Sequence, residues 1–279
     1  MRKRKPLAQL TLMDDYMFYA VMSDSKLLKV LLESILGIRI ISLEYVERQK
    51  TAKPGYESKG IRLDLHVIDD RGISYDIEVQ VENKKDLPKR TRYYHSTIDI
   101  SLLSPGKQYN DLGFSLVVFI TNFDPFGFGR YIYTFQNRCD QDLSLCLGDG
   151  SISVFINTKG TTGTISDDLK RIIRYLDAGK VSDDYTRILD NAVKSVKDSE
   201  ERRLEYMRIY TYEDELREEG RKEGRKEGRK EGRIDGSISA LYGIGMDTDE
   251  IIRRIGAMFS MGEKEAAERV ENVLAIQMA

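Results

Sequence analysis

Two strand-like runs joined by a short turn, within residues 61–82, constrain this chain more than any other segment. Ile61-Arg62-Leu63-Asp64-Leu65-His66-Val67-Ile68 and Ile73-Ser74-Tyr75-Asp76-Ile77-Glu78-Val79-Gln80-Val81-Glu82 both alternate apolar with polar residues. That is the period of a strand with one face on a core. Between them, Asp69-Asp70-Arg71-Gly72 is turn chemistry ending in glycine. The parity of the turn decides which side chains meet, because a one-residue slip reverses every face. A three-residue loop, Asp70 to Gly72 with Gly72 left-handed in a bulge, is a common hairpin solution. It predicts Asp69 opposite Ile73, His66 opposite Asp76, Asp64 opposite Glu78 and Arg62 opposite Gln80.

Opposed side chains in a hairpin have Cβ atoms roughly 4.5–5.5 Å apart, and two like charges there destabilise the pair. A divalent metal bound by the oxygens of Asp64 and Glu78 is the simplest remedy. The ordinary alternative is a solvated outer face, since exposed charges are the norm. The facing carboxylates, with Gln80 two residues beyond Glu78, set this hairpin apart from that norm.

The chain has 279 residues, 32% charged and 41% hydrophobic, enough for one substantial core plus an appendage and unlike a disordered composition. A net charge of −2 provides no global field for nucleic acid, so any such binding must use local patches. Met1–Lys5 and Lys84–Arg92 are the two such stretches. Cys139 and Cys146 have no histidine near them and do not make a four-ligand zinc site. Two lone thiols suit a reducing cytoplasm. No apolar stretch approaches the roughly 18 residues that span a bilayer, and the basic start lacks a signal-peptide core. These features predict a cytoplasmic protein without membrane contact.

Helical periodicity covers residues 13–36, with a break at Ser23-Asp24-Ser25 and a stop at Gly37. A strand is predicted around Ile40–Gln49, then a polar loop containing Pro54-Gly55, then the hairpin. Residues 87–103 read as helix ended by Pro105-Gly106. Phe114–Thr121 reads as a buried strand, and Arg130–Asn137, Leu143–Leu147 and Ile152–Asn157 complete the sheet. Helices follow at Ser166–Asp177, Asp184–Val196 and Ser199 to about Glu219.

The Gly-Arg-Lys-Glu repeat from Gly220 to Gly232 has no apolar face, and each glycine costs about 1 kcal/mol relative to alanine. It reads as a marginal, solvated helix acting as a spacer. Its Arg-Lys pairs are offset by glutamates and lack aromatic residues for stacking. Capping-box patterns at Asp247/Glu250 and Ser260/Glu263 predict two short terminal helices, Thr248–Met258 and Met261–Ile276. The expected divisions are therefore 1–163, 164–219, 220–236 and 237–279.

Several motifs together carry a family resemblance. They are Asp14-Asp15-Tyr16-Met17-Phe18, Arg62-Leu63-Asp64, Ile77-Glu78-Val79-Gln80, Arg90-Thr91-Arg92-Tyr93-Tyr94 and Gly106-Lys107-Gln108-Tyr109, with the late Gly-Arg-Lys-Glu run. In order and spacing, over roughly residues 10–235, they resemble the PD-(D/E)XK nuclease superfamily, in its branch of recombination-promoting (Rpn) nucleases and transposase-like proteins. The resemblance implies an α/β, restriction-endonuclease-like fold: a mixed central sheet flanked by helices, followed here by an α-helical C-terminal region.

It also implies a Mg²⁺ site on the hairpin, with Mn²⁺ as a substitute. Asp64 and Glu78 would be the metal ligands and catalytic acids, and Gln80 would stand where the superfamily usually has lysine. Glu33, Asp15 and Lys84 are further candidates for the site. Arg90, Arg92, Tyr93 and Tyr94 are candidates for DNA contact, with packing of the two tyrosines on the sheet as the alternative. Two functions compete: a metal-dependent DNA endonuclease of recombination or transposition, and a catalytically inactive nuclease fold that binds DNA or assembles proteins. The C-terminal helices are the expected site of any homo-oligomer.

Overall fold

A computed structural model describes residues 5–45, 65–103 and 105–278. Asp64, Arg62 and the loop at Pro54-Gly55 lie outside the described residues, as does the expected strand beyond Tyr45. The chain divides into two compact units, Met1–Tyr206 and Met207–Ala279.

In the first unit, α1 (Asp15–Met22) and α2 (Ser25–Leu36) are separated at Ser23-Asp24. There the Asp24 side chain accepts the N–H of Lys26 at 2.8 Å, an N-cap of the usual kind. Strands β1 (Leu43–Tyr45), β2 (Leu65–Asp69), β3 (Ser74–Gln80), β4 (Ser115–Thr121), β5 (Ile132–Phe135) and β8 (Ser151–Asn157) form a six-stranded sheet in the order β1-β2-β3-β4-β8-β5. The sheet is mixed. β3, β4 and β8 run parallel to one another, whereas β1, β2 and β5 join antiparallel.

The hairpin has the expected register over its described length: Leu65 pairs with Ile77, His66 with Asp76, Val67 with Tyr75 and Ile68 with Ser74. The loop closes with Asp69 N–H donating to Ile73 O and Gly72 N–H to Asp69 O. Gly72 has φ +77°, the left-handed conformation the bulged turn requires. Asp69 organises this turn. Its buried carboxylate accepts the N–H groups of Arg71 and Ile73, two bonds from the Arg71 guanidinium and the Tyr75 hydroxyl.

The ordinary alternative of a solvated outer face does not hold for the polar side of β3: Asp76 and Glu78 are buried. β3 is in parallel register with β4, so Asp76 and Glu78 align with Val117 and Phe119. Those two residues share a hydrophobic cluster with Leu87, Tyr94 and Ile98 of α3 (Leu87–Leu102). Helix α3 therefore covers the carboxylate face, while α1 also packs against β3.

One correction concerns Leu143–Leu147. Its strand, β7 (Asp142–Cys146), does not join the main sheet but pairs with β6 (Arg138–Cys139) in a separate two-stranded ribbon. Leu143, Leu145 and Leu147 are exposed, so their alternation marks a strand without a buried face. Helices α4 (Asp167–Ala178) and α5 (Asp184–Asp198) complete the unit, packing against α2 and α1 respectively.

Helix α6 (Glu200–Gly243) begins in the first unit and ends in the second. Its start is tied down by Tyr16, whose hydroxyl donates to Arg202 O at 2.8 Å, and by Tyr206, which donates to Lys5 O at 2.7 Å. The glycine repeat is helical as expected and continuous with its flanks, and its side chains from 220 to 233 are exposed. In the second unit, Ile234 and Ile238 of α6 pack on Ile251 and Ile255 of α7 (Thr248–Phe259) and on Ala266, Val270 and Leu274 of α8 (Glu263–Met278). A two-pronged Arg269–Asp235 ion pair, at 2.7 and 2.9 Å, closes that small core. Among the described residues, no helix is long and apolar enough to cross a membrane.

Candidate active site on the hairpin strand

The site is built where the C-terminal half of β3 meets the first turns of α3. Glu78 and Gln80, two residues apart, project from the same face of the strand. Leu87, Thr91, Tyr94, His95 and Ile98 form the buried stripe of α3, and Arg90 falls on the same side, four residues before Tyr94.

One Arg90 Nη donates to Glu78 Oε2 at 2.6 Å and to the Tyr94 hydroxyl at 2.7 Å; the other donates to Gln80 Oε1 at 2.7 Å. Tyr94 in turn hydrogen-bonds Glu78. The Gln80 amide nitrogen donates to Glu82 O at 2.9 Å, which fixes the amide so that its oxygen faces the guanidinium. That guanidinium lies 5.4 and 5.3 Å from the ring centres of Tyr94 and Phe119, within cation–π range.

The electrostatics follow from burial. The Glu78 side chain is 3% exposed and that of Arg90 28%, so the pair interacts in a poorly screened setting. Burial pulls the Arg90 pKa down, but the Tyr94 hydrogen bond and the Glu78 charge outweigh it, and the group is held above its usual value. Burial first, then the Glu78 charge, pushes the Tyr94 phenol up, so it stays protonated and able to donate.

Two histidines occupy the same covered layer. His66 Nε2 lies 2.6 Å from Ser74 Oγ; His95 contacts Ser115 Oγ at 2.8 Å and Ser153 Oγ at 3.1 Å. Burial lowers both to about 4, with Asp149 partly opposing the shift at His95. The unfolded chain takes up these protons near pH 6.5, the folded chain only near pH 4. Their stabilisation is therefore complete above about pH 6.5 and lost as pH falls to about 4. Together they are expected to contribute on the order of 3–5 kcal/mol across that window. Urea midpoints from pH 7 to 4.5 check this, and a His66→Gln/His95→Gln variant should flatten the fall. An equal fall in both proteins would refute the assignment.

Glu78 and Gln80 come together as the hairpin predicts, while Asp64 lies outside the described residues. Tyr94, a candidate for DNA contact, is 5% exposed and faces the carboxylate. Arg90 likewise points inward to Glu78 and Gln80. Tyr93 is half-buried against the same cluster, whereas Arg92 is exposed.

Lys84 is exposed in the loop after β3, its N–H on Glu82 O. Glu33, on α2, accepts the N–H of Ile40 at 2.8 Å, a turn-closing role. Asp15 is exposed at the start of α1. The Arg90–Glu78 pair was missed from sequence, although the spacing 87, 90/91, 94, 98 placed Arg90 on the apolar side of its helix.

No curated protein and no solved structure matches the chain. A family model described as PD-(D/E)XK nuclease family transposase matches residues 12–132, the segment running from just before α1 to the start of β5 and holding the hairpin and α3. The match supports a nuclease in general, and it spans Glu78, buried in the layer just described. Over residues 12–132, this chain is similar to the PD-(D/E)XK nuclease family transposases.

Proposed function

We propose that the chain is a metal-dependent DNA endonuclease that hydrolyses phosphodiester bonds in recombination or transposition. The observation that supports this most is the buried Glu78 carboxylate beside the Gln80 amide, with their oxygens directed at a positive charge. This donor chemistry fits a hard divalent cation such as Mg²⁺ or Mn²⁺, which takes oxygen ligands and tolerates few from protein. The residues that would hold it are Glu78 and Asp64, the latter set opposite Glu78 if the hairpin register runs one pair further.

When bound, the ion would lower the pKa of a water and offset charge on the phosphate. The chain's own groups do the rest. Gln80, neutral, orients water through its amide oxygen. Arg90 supplies the positive charge that a lysine at position 80 would otherwise bring. Arg92 and Lys84, both exposed, would meet the DNA backbone, where such contacts position the duplex without reading its sequence.

The test is incubation of supercoiled plasmid with the full chain and Mg²⁺ or Mn²⁺. Nicked or linear product that EDTA prevents is the expected result; intact plasmid across divalent metals would refute the reading. A second reading, an inactive scaffold that binds DNA or protein, is favoured by the Arg90–Glu78 ion pair itself, because that pair satisfies the carboxylate without metal. It expects DNA binding insensitive to metal.

A further inference from the structure

We infer that Arg90 and a divalent ion are alternative occupants of one oxygen pocket, and that Arg90 moves between Glu78 and Asp86 as the ion enters and leaves. The inference rests on the metal reading above. Glu78 Oε2 and Gln80 Oε1, the two oxygens turned toward the pocket, are both engaged by the guanidinium at 2.6 and 2.7 Å. A cation sharing those atoms would sit a few ångströms from a like charge in a setting with little water to screen it.

The guanidinium has a way out and somewhere to go. Its side chain is 28% exposed, and it lies over the Tyr94 and Phe119 rings, 5.4 and 5.3 Å from their centres. One turn earlier, Asp86 is the N-cap residue of α3, and its side chain makes no capping bond. Asp86 Oδ1 is buried without a hydrogen-bond partner, a costly condition for a carboxylate oxygen. The Asp86 charge already acts on Arg90. A guanidinium released from Glu78 would satisfy that oxygen. Arg90 is thus a positioning residue that sets how tightly metal is held, with Asp86 as its second seat.

Mn²⁺ titration calorimetry on the full chain at pH 8 tests this, compared across wild type, Arg90→Met, Asp86→Asn and Glu78→Gln. Arg90→Met is expected to bind Mn²⁺ at least tenfold more tightly than wild type. Asp86→Asn should bind at least threefold more weakly, because the displaced guanidinium loses its countercharge, and Glu78→Gln should abolish binding. If Glu78→Gln abolishes binding while Arg90→Met and Asp86→Asn match wild type or change in the opposite sense, the metal site stands and the exchange is overturned. If no protein takes up Mn²⁺, Arg90→Met included, the metal reading falls and the inference with it. Should Arg90→Met fail to fold, Asp86→Asn decides alone: unchanged affinity overturns the exchange.

Discussion

Glu78→Gln is expected to lower Mg²⁺-dependent DNA cleavage by about 10²–10³-fold or more, the scale of losing several kcal/mol of charge stabilisation in the transition state. Glutamine is the informative replacement, because its size and carbonyl oxygen leave Arg90 an acceptor and keep the layer beneath α3 filled. Single-turnover cleavage of a labelled duplex measures the effect, with DNA binding and the thermal transition as controls. A rate within tenfold of wild type would remove Glu78 from the chemistry. Loss of binding and folding together would instead mark the residue as structural.

The largest stability effect is expected at Asp69. Its carboxylate holds five bonds, from Arg71 N (2.9 Å), Arg71 Nε (3.0 Å), Arg71 Nη2 (2.7 Å), Ile73 N (2.9 Å) and Tyr75 Oη (2.9 Å). The side chain is fully buried while Arg71 is 44% exposed, so water can rescue the arginine but not Tyr75. Asp69→Ala strands a buried hydroxyl and two turn N–H groups. It is expected to cost about 3–5 kcal/mol, the range for breaking a buried charged network from one side. Asp69→Asn, which keeps an acceptor, should cost less. Urea denaturation followed by circular dichroism reads both, and a loss under about 1 kcal/mol for alanine would show that the turn is held by other means.

The parts of this fold legible in the sequence are those whose determinants are local. The hairpin register from Leu65 to Ile77 follows from two alternating runs and a turn that needs glycine at position 72, and all of that lies within thirteen residues. The break between α1 and α2 was equally plain from Asp24 and its capping geometry. Burial of the polar face was not legible, because it depends on α3, whose stripe mixes Arg90, Thr91 and His95 with Leu87, Tyr94 and Ile98.

Those polar residues find partners only across the sheet: Glu78 for Arg90, and Ser115 with Ser153 for His95. Likewise, Leu143 and Leu145 alternate as core-strand residues would, and nothing local distinguishes an exposed ribbon from a sheet strand. Of the candidate site, Glu78 and Gln80 were readable from their place on the strand. Their tie to Arg90 needed the parallel register of β3 and β4, a long-range property.

β3 is hydrogen-bonded to β2 on one side and β4 on the other, and both of its faces are covered. A strand so enclosed opens only when its whole cooperative unit opens. The Glu78 it carries is therefore not on a flap or a lid that could fray while the rest stays folded. Proteolysis or partial melting that spares this strand should spare Glu78's geometry as well, so that losing the site and losing the fold become a single event.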